Sequence, residues 1–243
     1  MRIDIITLFP EMCETVLGES IIGRAAHRGI VSLHCHQLRD YAFDKHRRVD
    51  DTTYGGGMGM LMKAEPIALC FEALCNMLNT RPHFIYLSPK GKVLTQEKVR
   101  ELAGYENIAL LCGHYEGVDQ RVLDMYVDEE ISIGDYVLTG GELPALVLTD
   151  SICRMIPEVL SDNLCFEEES HYSGLLEYPQ YTKPAVWREK EVPEVLLSGH
   201  HANIERWRRE QSLLETAKRR PDLFSRLELN EKDKKFLREK GII

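Results

Sequence analysis

The strongest constraint on this chain is an alternation that runs through residues 1–155. Strand-length apolar runs at 3–8, 31–38, 83–87, 107–112 and 128–132 take turns with stretches of helical periodicity at 11–28, 66–78, 96–103, 118–125 and 142–155. Parallel neighbours need a crossover of a dozen or more residues, and a helix usually supplies it, so the pattern predicts an α/β fold on a largely parallel sheet. Ser20 stands where an N-cap would open a helix, Gly29 where one would end, and Pro66 in a first turn.

Several connections are too rich in glycine for ordinary loops. Tyr54-Gly55-Gly56-Gly57-Met58-Gly59-Met60 is either a flexible loop or a backbone meant to approach a ligand. Residues 88–91, 113–117 and 133–142 each follow a predicted strand. Ligands of α/β sheets gather beyond the carboxyl ends of strands, so these three segments predict one shared pocket; tight structural turns are the plainer reading. Main-chain N–H and C=O groups there suit the edge of an adenosine, with Leu138 and Pro144 to cover its faces. Neither G-x-x-x-x-G-K-[ST] nor G-x-G-x-x-G after a strand occurs, which argues against a phosphate loop or a dinucleotide fingerprint.

Past Pro157 the pattern changes. Residues 161–170 are polar and acidic without periodicity, and helical segments return at 204–217 and 231–240. The expected division is a first domain at 1–160, a flexible linker at 161–174 that orders only against a partner, and a helical domain at 175–243. Net charge is −9, yet residues 200–243 carry 12 Lys/Arg against 8 Asp/Glu while the rest carries 18 against 31. An anion would dock at that C-terminal end, unless the cations are simply solvated helix faces. Seven cysteines without a C-x-x-C read as reduced, buried thiols. No apolar run reaches about 18 residues and Asp4 interrupts the first apolar stretch, so no membrane segment is expected and the expected compartment is the cytoplasm. His34 and His36 alternate on a predicted strand, a weak metal pair at best.

Tyr54-Gly-Gly-Gly-x-Gly-Met60, Tyr86-Leu-Ser-Pro89, Gly113-x-Tyr-Glu-Gly117, Ser132-Ile-Gly-Asp-Tyr-Val-Leu138, Gly140-Gly-Glu-Leu-Pro144, Tyr181-Thr-x-Pro184 and Val195-Leu-Leu-Ser-Gly199 follow one another in collinear order. Together they resemble the bacterial tRNA guanine-N(1) methyltransferases of the SPOUT superfamily. The resemblance implies a SPOUT-type α/β domain with a deep trefoil knot, followed by a small C-terminal helical domain. It also implies a homodimer whose active sites are shared between subunits, with tRNA rather than DNA as partner. The implied reaction moves a methyl group from S-adenosyl-L-methionine to the guanine immediately 3′ of the anticodon, position 37, which maintains the reading frame.

By the same resemblance, cofactor contacts fall on Tyr86, Leu87, Ser88 and Pro89; on Gly113, Tyr115, Glu116 and Gly117; and on Ile133, Gly134, Asp135, Tyr136, Val137, Leu138, Gly140, Gly141 and Pro144. Substrate contacts fall on Arg24, His46, Asp50 and Gly59, with Asp51 beside them. Guanine N1 carries a proton near neutral pH, so the chemistry needs a base and a cation for the charge that develops on O6. Arg154 matches the family's arginine. Glu169 stands where the family places an aspartate, with Glu167 and Glu168 adjacent, and His114 where arginine is usual. Glu116, Asp128 and Glu130 could favour a cationic sulfonium. The family's dependence on a divalent ion implies that Mg2+ assists, although no carboxylate cluster in the sequence marks a site for it.

Overall fold

Runs of Ile, Leu and Ala without a polar alternate residue have no face to turn to water, and they become the central strands of a parallel sheet covered on both sides. The computed structural model describes residues 1–160, 170–172 and 174–243. The chain divides into two compact units, Met1–Asn163 and Leu164–Ile243.

In the first unit β1 (Arg2–Thr7) leads through α1 (Pro10–Leu17) and α2 (Ser20–His27) to β2 (Ser32–Gln37) and a 3-10 turn, Leu38–Tyr41. A short hairpin, β3 (Asp50–Thr52) and β4 (Met60–Met62), precedes α3 (Ala64–Leu78). Then come β5 (His83–Val93), α4 (Gln96–Ala103), β6 (Asn107–Cys112), α5 (Gln120–Tyr126), β7 (Glu129–Ser132) and α6 (Glu142–Cys153). The sheet order is β2-β1-β6-β5-β7, with every pairing parallel. Alternation along β1 sends Ile3 and Ile5 into one core with Cys13, Leu17, Val99, Ala145 and Leu148, and Ile6 into the other with Phe71, Leu74, Phe84 and Val122. The mixed α/β class and the parallel sheet are therefore as expected.

Three local expectations need correction. The single helix at 11–28 is two helices, because the chain turns at 18–19: a Cβ on Gly23 would lie 2.0 Å from the Gly18 carbonyl oxygen, so α2 folds back on the end of α1. Ser20 does not cap; it takes φ 56° at the break, and Glu19 is the N-cap without a side-chain bond. The segment 88–91 does not lie beyond a strand. It bulges out of β5, which rejoins β7 so that Leu87 and Lys92 both register with Ile131. Gly29 does end α2, at φ 73°, with Ile30 N–H on the Ala25 carbonyl. The β3–β4 hairpin is too short to leave a periodic signal.

The second unit holds a two-residue ribbon, β8 (Val186–Trp187) with β9 (Lys190–Glu191), then α7 (Glu194–Leu197), α8 (His201–Arg219), α9 (Pro221–Phe224) and α10 (Glu231–Glu239). Leu175, Leu213 and Leu237 form its small core, flanked by Phe224, Leu227 and Phe236. Asn230 and Asp233 close a capping box at the start of α10. Arg206, Arg209, Arg219, Arg220 and Lys234 each pair with an acid of this unit, so much of its positive charge is laced into ion pairs on helices.

Cys13, Cys35, Cys70, Cys75, Cys112 and Cys153 are free thiols; Cys165 lies outside the described residues. His34 and His36 are engaged separately, His34 with Ser32 at 2.7 Å and His36 with Asp4 at 2.7 Å. Among the described residues no helix is long and apolar enough to cross a membrane.

Candidate active site

Strands β6 and β7 end at one edge of the sheet, and the segments that leave them meet the bulge of β5 there. The bulge at 88–91, the loop at 113–117 and the segment at 133–141 wall a cavity of about 360 Å³. Backbone bonds tie the walls together. Gly141 N–H donates to the Gly113 carbonyl at 2.8 Å, Glu116 N–H to Met60 at 3.0 Å, and Met62 N–H to Gly117 at 2.9 Å. Ser132 Oγ accepts the Gly134 N–H at 3.1 Å and donates back to the Gly134 carbonyl at 2.9 Å, which folds the start of the third segment. Gly141 must be glycine for steric reasons: a Cβ there would lie 2.6 Å from Cys112 Cα and 2.7 Å from Gly113 N.

The cavity lining takes in Tyr86, Leu87, Ser88, Pro89, Gly113, Tyr115, Glu116, Gly117, Ile133, Gly134, Tyr136, Val137, Leu138, Gly140, Gly141 and Pro144. Of the residues expected to touch a cofactor, Asp135 alone is not on the lining. Gly59 comes close from the hairpin, since a Cβ on it would sit 2.4 Å from Glu116 Cγ. Arg24 on the exposed side of α2, His46 in an exposed turn and Asp50 on β3 are not among the lining residues. Arg154 is the C-cap of α6, twelve residues past Glu142, which is about 18 Å along the axis. Glu169, together with Glu167 and Glu168, lies outside the described residues.

Charge is distributed unevenly around the cavity. Glu142, 3 % exposed, opens α6 and accepts the Thr7 hydroxyl at 2.7 Å; its other oxygen lies 3.4 Å from His114 Nε2. His114 is flanked by the rings of Phe9 and Tyr115, with centroids at 5.1 and 5.8 Å. Local pattern does not reveal this Thr7–Glu142–His114 chain, because Thr7 lies 135 residues before Glu142; its one hint in the sequence is an acid in the first turn of a helix after two glycines. Of the three acids considered for a sulfonium, Glu116 and Glu130 reach the cavity. Asp128 does not: it accepts the Phe84 N–H at 2.8 Å and pairs with Arg81 at 2.9 Å. Burial, followed by the charge of Glu130, pushes the Tyr86 hydroxyl up to about 12. Among the described residues no three His, Cys, Asp or Glu side chains converge as a metal-holding group.

A second cavity, of about 720 Å³, lies beside the first and shares Leu61 with it; Tyr54, Lys63, Asp119, Arg121 and Tyr126 are among its lining.

The family described as tRNA (Guanine-1)-methyltransferase TrmD matches residues 1–226 of the chain. The chain belongs to this family. A protein of Ruminiclostridium cellulolyticum named tRNA (guanine-N(1)-)-methyltransferase is 56% identical over 227 residues, 93% of this chain and 97% of its own length. Proteins with the same name from Alkaliphilus oremlandii and Clostridium botulinum are 53% and 51% identical, each over 98% of this chain and 98% of their own length. Membership in the TrmD family makes the chain a member of a methyltransferase family.

Proposed function

We propose that this chain transfers the methyl group of S-adenosylmethionine to N1 of the guanine at position 37 of tRNA, immediately 3′ of the anticodon, and so maintains the reading frame. The observation that carries the proposal is the cavity of about 360 Å³ at the carboxyl edge of the sheet, in a chain of the TrmD family. Its size falls within the range of small-molecule sites, roughly 300–1,000 Å³. Main-chain groups of 133–138 are suited to the adenine edge, Leu138 and Pro144 to its faces, and the acids Glu116 and Glu130 to a cation. Bound there, the cofactor supplies an electrophilic methyl group on a sulfonium.

The chain supplies the acid–base chemistry. Glu169 takes the N1 proton as the N1–methyl bond forms, and Arg154 holds the negative charge on O6. Arg154 stands at the far end of α6 from the cavity of its own chain, which supports sites shared between two subunits. So do the exposed apolar residues of the packed pair α1 and α6, Met12, Val16, Leu143 and Val147, with Phe9 at the N-cap of α1. The proposal includes a deep trefoil knot in residues 1–160, which rests on membership of the family. It also includes a linker at 161–174, a tRNA-binding role for the positively charged helical residues 175–243, and action in the cytoplasm.

The test is methyl transfer from labelled S-adenosylmethionine to transcribed tRNA with guanine at position 37. The methyl group is expected on N1 of that guanine. Glu169→Gln and Arg154→Ala are each expected to lower the rate by about 100-fold or more while cofactor binding persists. Label on a ribose 2′-oxygen, or no label, overturns the base assignment. A fully active Glu169→Gln moves the base to a neighbouring acid.

A further inference from the structure

Glu130 lines the cavity and is one of two acids there suited to a cation. In β7 it is in register with Tyr86 of β5, so the two side chains stand together on one face of the sheet. Its Oε2 is buried and has no hydrogen-bond partner among the described residues. A buried carboxylate oxygen left unpaired costs free energy that folding does not recover, and its complement is a cation or a strong donor brought from outside. The other two acids are less suited to that task. Asp128 is engaged by Phe84 N–H and Arg81, and Glu116 is exposed, where solvent and salt screen its charge.

We infer that Glu130 is the charge-selecting residue of the cavity, set to hold the cationic sulfonium of S-adenosylmethionine and to discriminate against the neutral thioether of the product, S-adenosylhomocysteine. The inference rests on the cofactor assigned under the proposed function. Methyl transfer breaks the methyl–sulfur bond, leaves the electron pair on sulfur and removes the positive charge, so the partner of Glu130 disappears as the reaction proceeds. The attraction is strongest before transfer and fades in the transition state. Glu130 therefore acts on binding and product release, and a neutral replacement raises KM for the cofactor without lowering kcat.

Titration calorimetry of the full chain with S-adenosylmethionine and, separately, S-adenosylhomocysteine tests this. Glu130→Gln is expected to raise Kd for the first about tenfold and for the second less than about twofold, a loss of preference of about one decade. The ligand-free variant is expected to melt no lower than the wild type, because the buried Oε2 has no hydrogen bond to lose. Glu130→Asp keeps the charge on a shorter arm and is expected to retain part of the preference; it carries the test if the amide variant does not fold. Equal changes in both Kd values, or no change in either, overturn the inference and leave the cofactor assignment standing. A wild-type chain that binds neither ligand overturns both.

Discussion

Asp4 lies in a central strand with its side chain wholly buried, a costly place for a carboxylate unless its charge is answered. Two donors of the Arg2 guanidinium reach it at 2.8 Å and His36 at 2.7 Å. Burial alone would raise its pKa; the hydrogen bonds from Arg2 and His36 outweigh that and hold it below the usual carboxylate range. A depressed carboxyl pKa favours the folded state above the unfolded value of about 3.9, and that contribution is lost as pH falls through the folded value. Asp4→Asn is therefore expected to cost about 3 kcal/mol at pH 7, with the gap from wild type closing below about pH 4, as read by urea denaturation at both pH values. The effect bears on the site, because Thr7, at the end of the same strand, holds Glu142 and through it His114.

At the scale of elements, the junction between β6 and α6 decides the shape of the cavity. Gly141 has an ordinary φ of −83°, so its requirement is one of space rather than backbone strain. Gly141→Ala must push apart the end of β6 and the start of α6; it is expected to cost about 1–3 kcal/mol and to weaken cofactor binding. Gly29 is the opposite case, with φ 73° and nothing within 4 Å of a Cβ. Gly29→Ala is expected to cost about 1 kcal/mol of stability and leave cofactor affinity unchanged. Thermal melts with and without S-adenosylmethionine separate the two: the ligand-induced rise in Tm shrinks only for Gly141→Ala.

At the scale of the whole molecule, the exposed apolar residues of α1 and α6 bear on the proposed dimer. Val16 is 54 % and Val147 49 % exposed, although Cys13, Leu17, Ala145 and Leu148 of the same helices are buried in one core. Single exposed apolar residues are ordinary; a group of them on two packed helices is the surface proposed to meet a second copy of the chain. Val16→Asp and Val147→Asp are each expected to convert a dimer to a monomer in sedimentation velocity. Methyl transfer is expected to fall about 100-fold or more, because Arg154 then serves no cavity, while circular dichroism stays unchanged. A monomeric wild type would remove the shared-site arrangement from the proposal.

Much of this architecture was legible in the order of residues alone. Strands and helices follow from short-range periodicity, which depends only on neighbours in the chain, so the α/β class, the parallel sheet and most element positions could be read directly. The motifs that carry the family resemblance fall on the glycine-rich part of the lining, because glycine is required wherever backbones approach closely, and leave out Leu61, Lys90, Val118, Glu130 and Thr139. Local pattern could not report what depends on distant partners. Ser20 looks like a cap until α2 is seen folding back on α1, and residues 88–91 look like a strand end until β7 is seen pairing on both sides of them. Glu116, Asp128 and Glu130 are equivalent acids in sequence. Only the sheet register and the neighbours brought by folding make Asp128 a structural anchor and leave Glu130 with an unanswered oxygen at the cavity, since burial and pairing are set by residues far away in the chain.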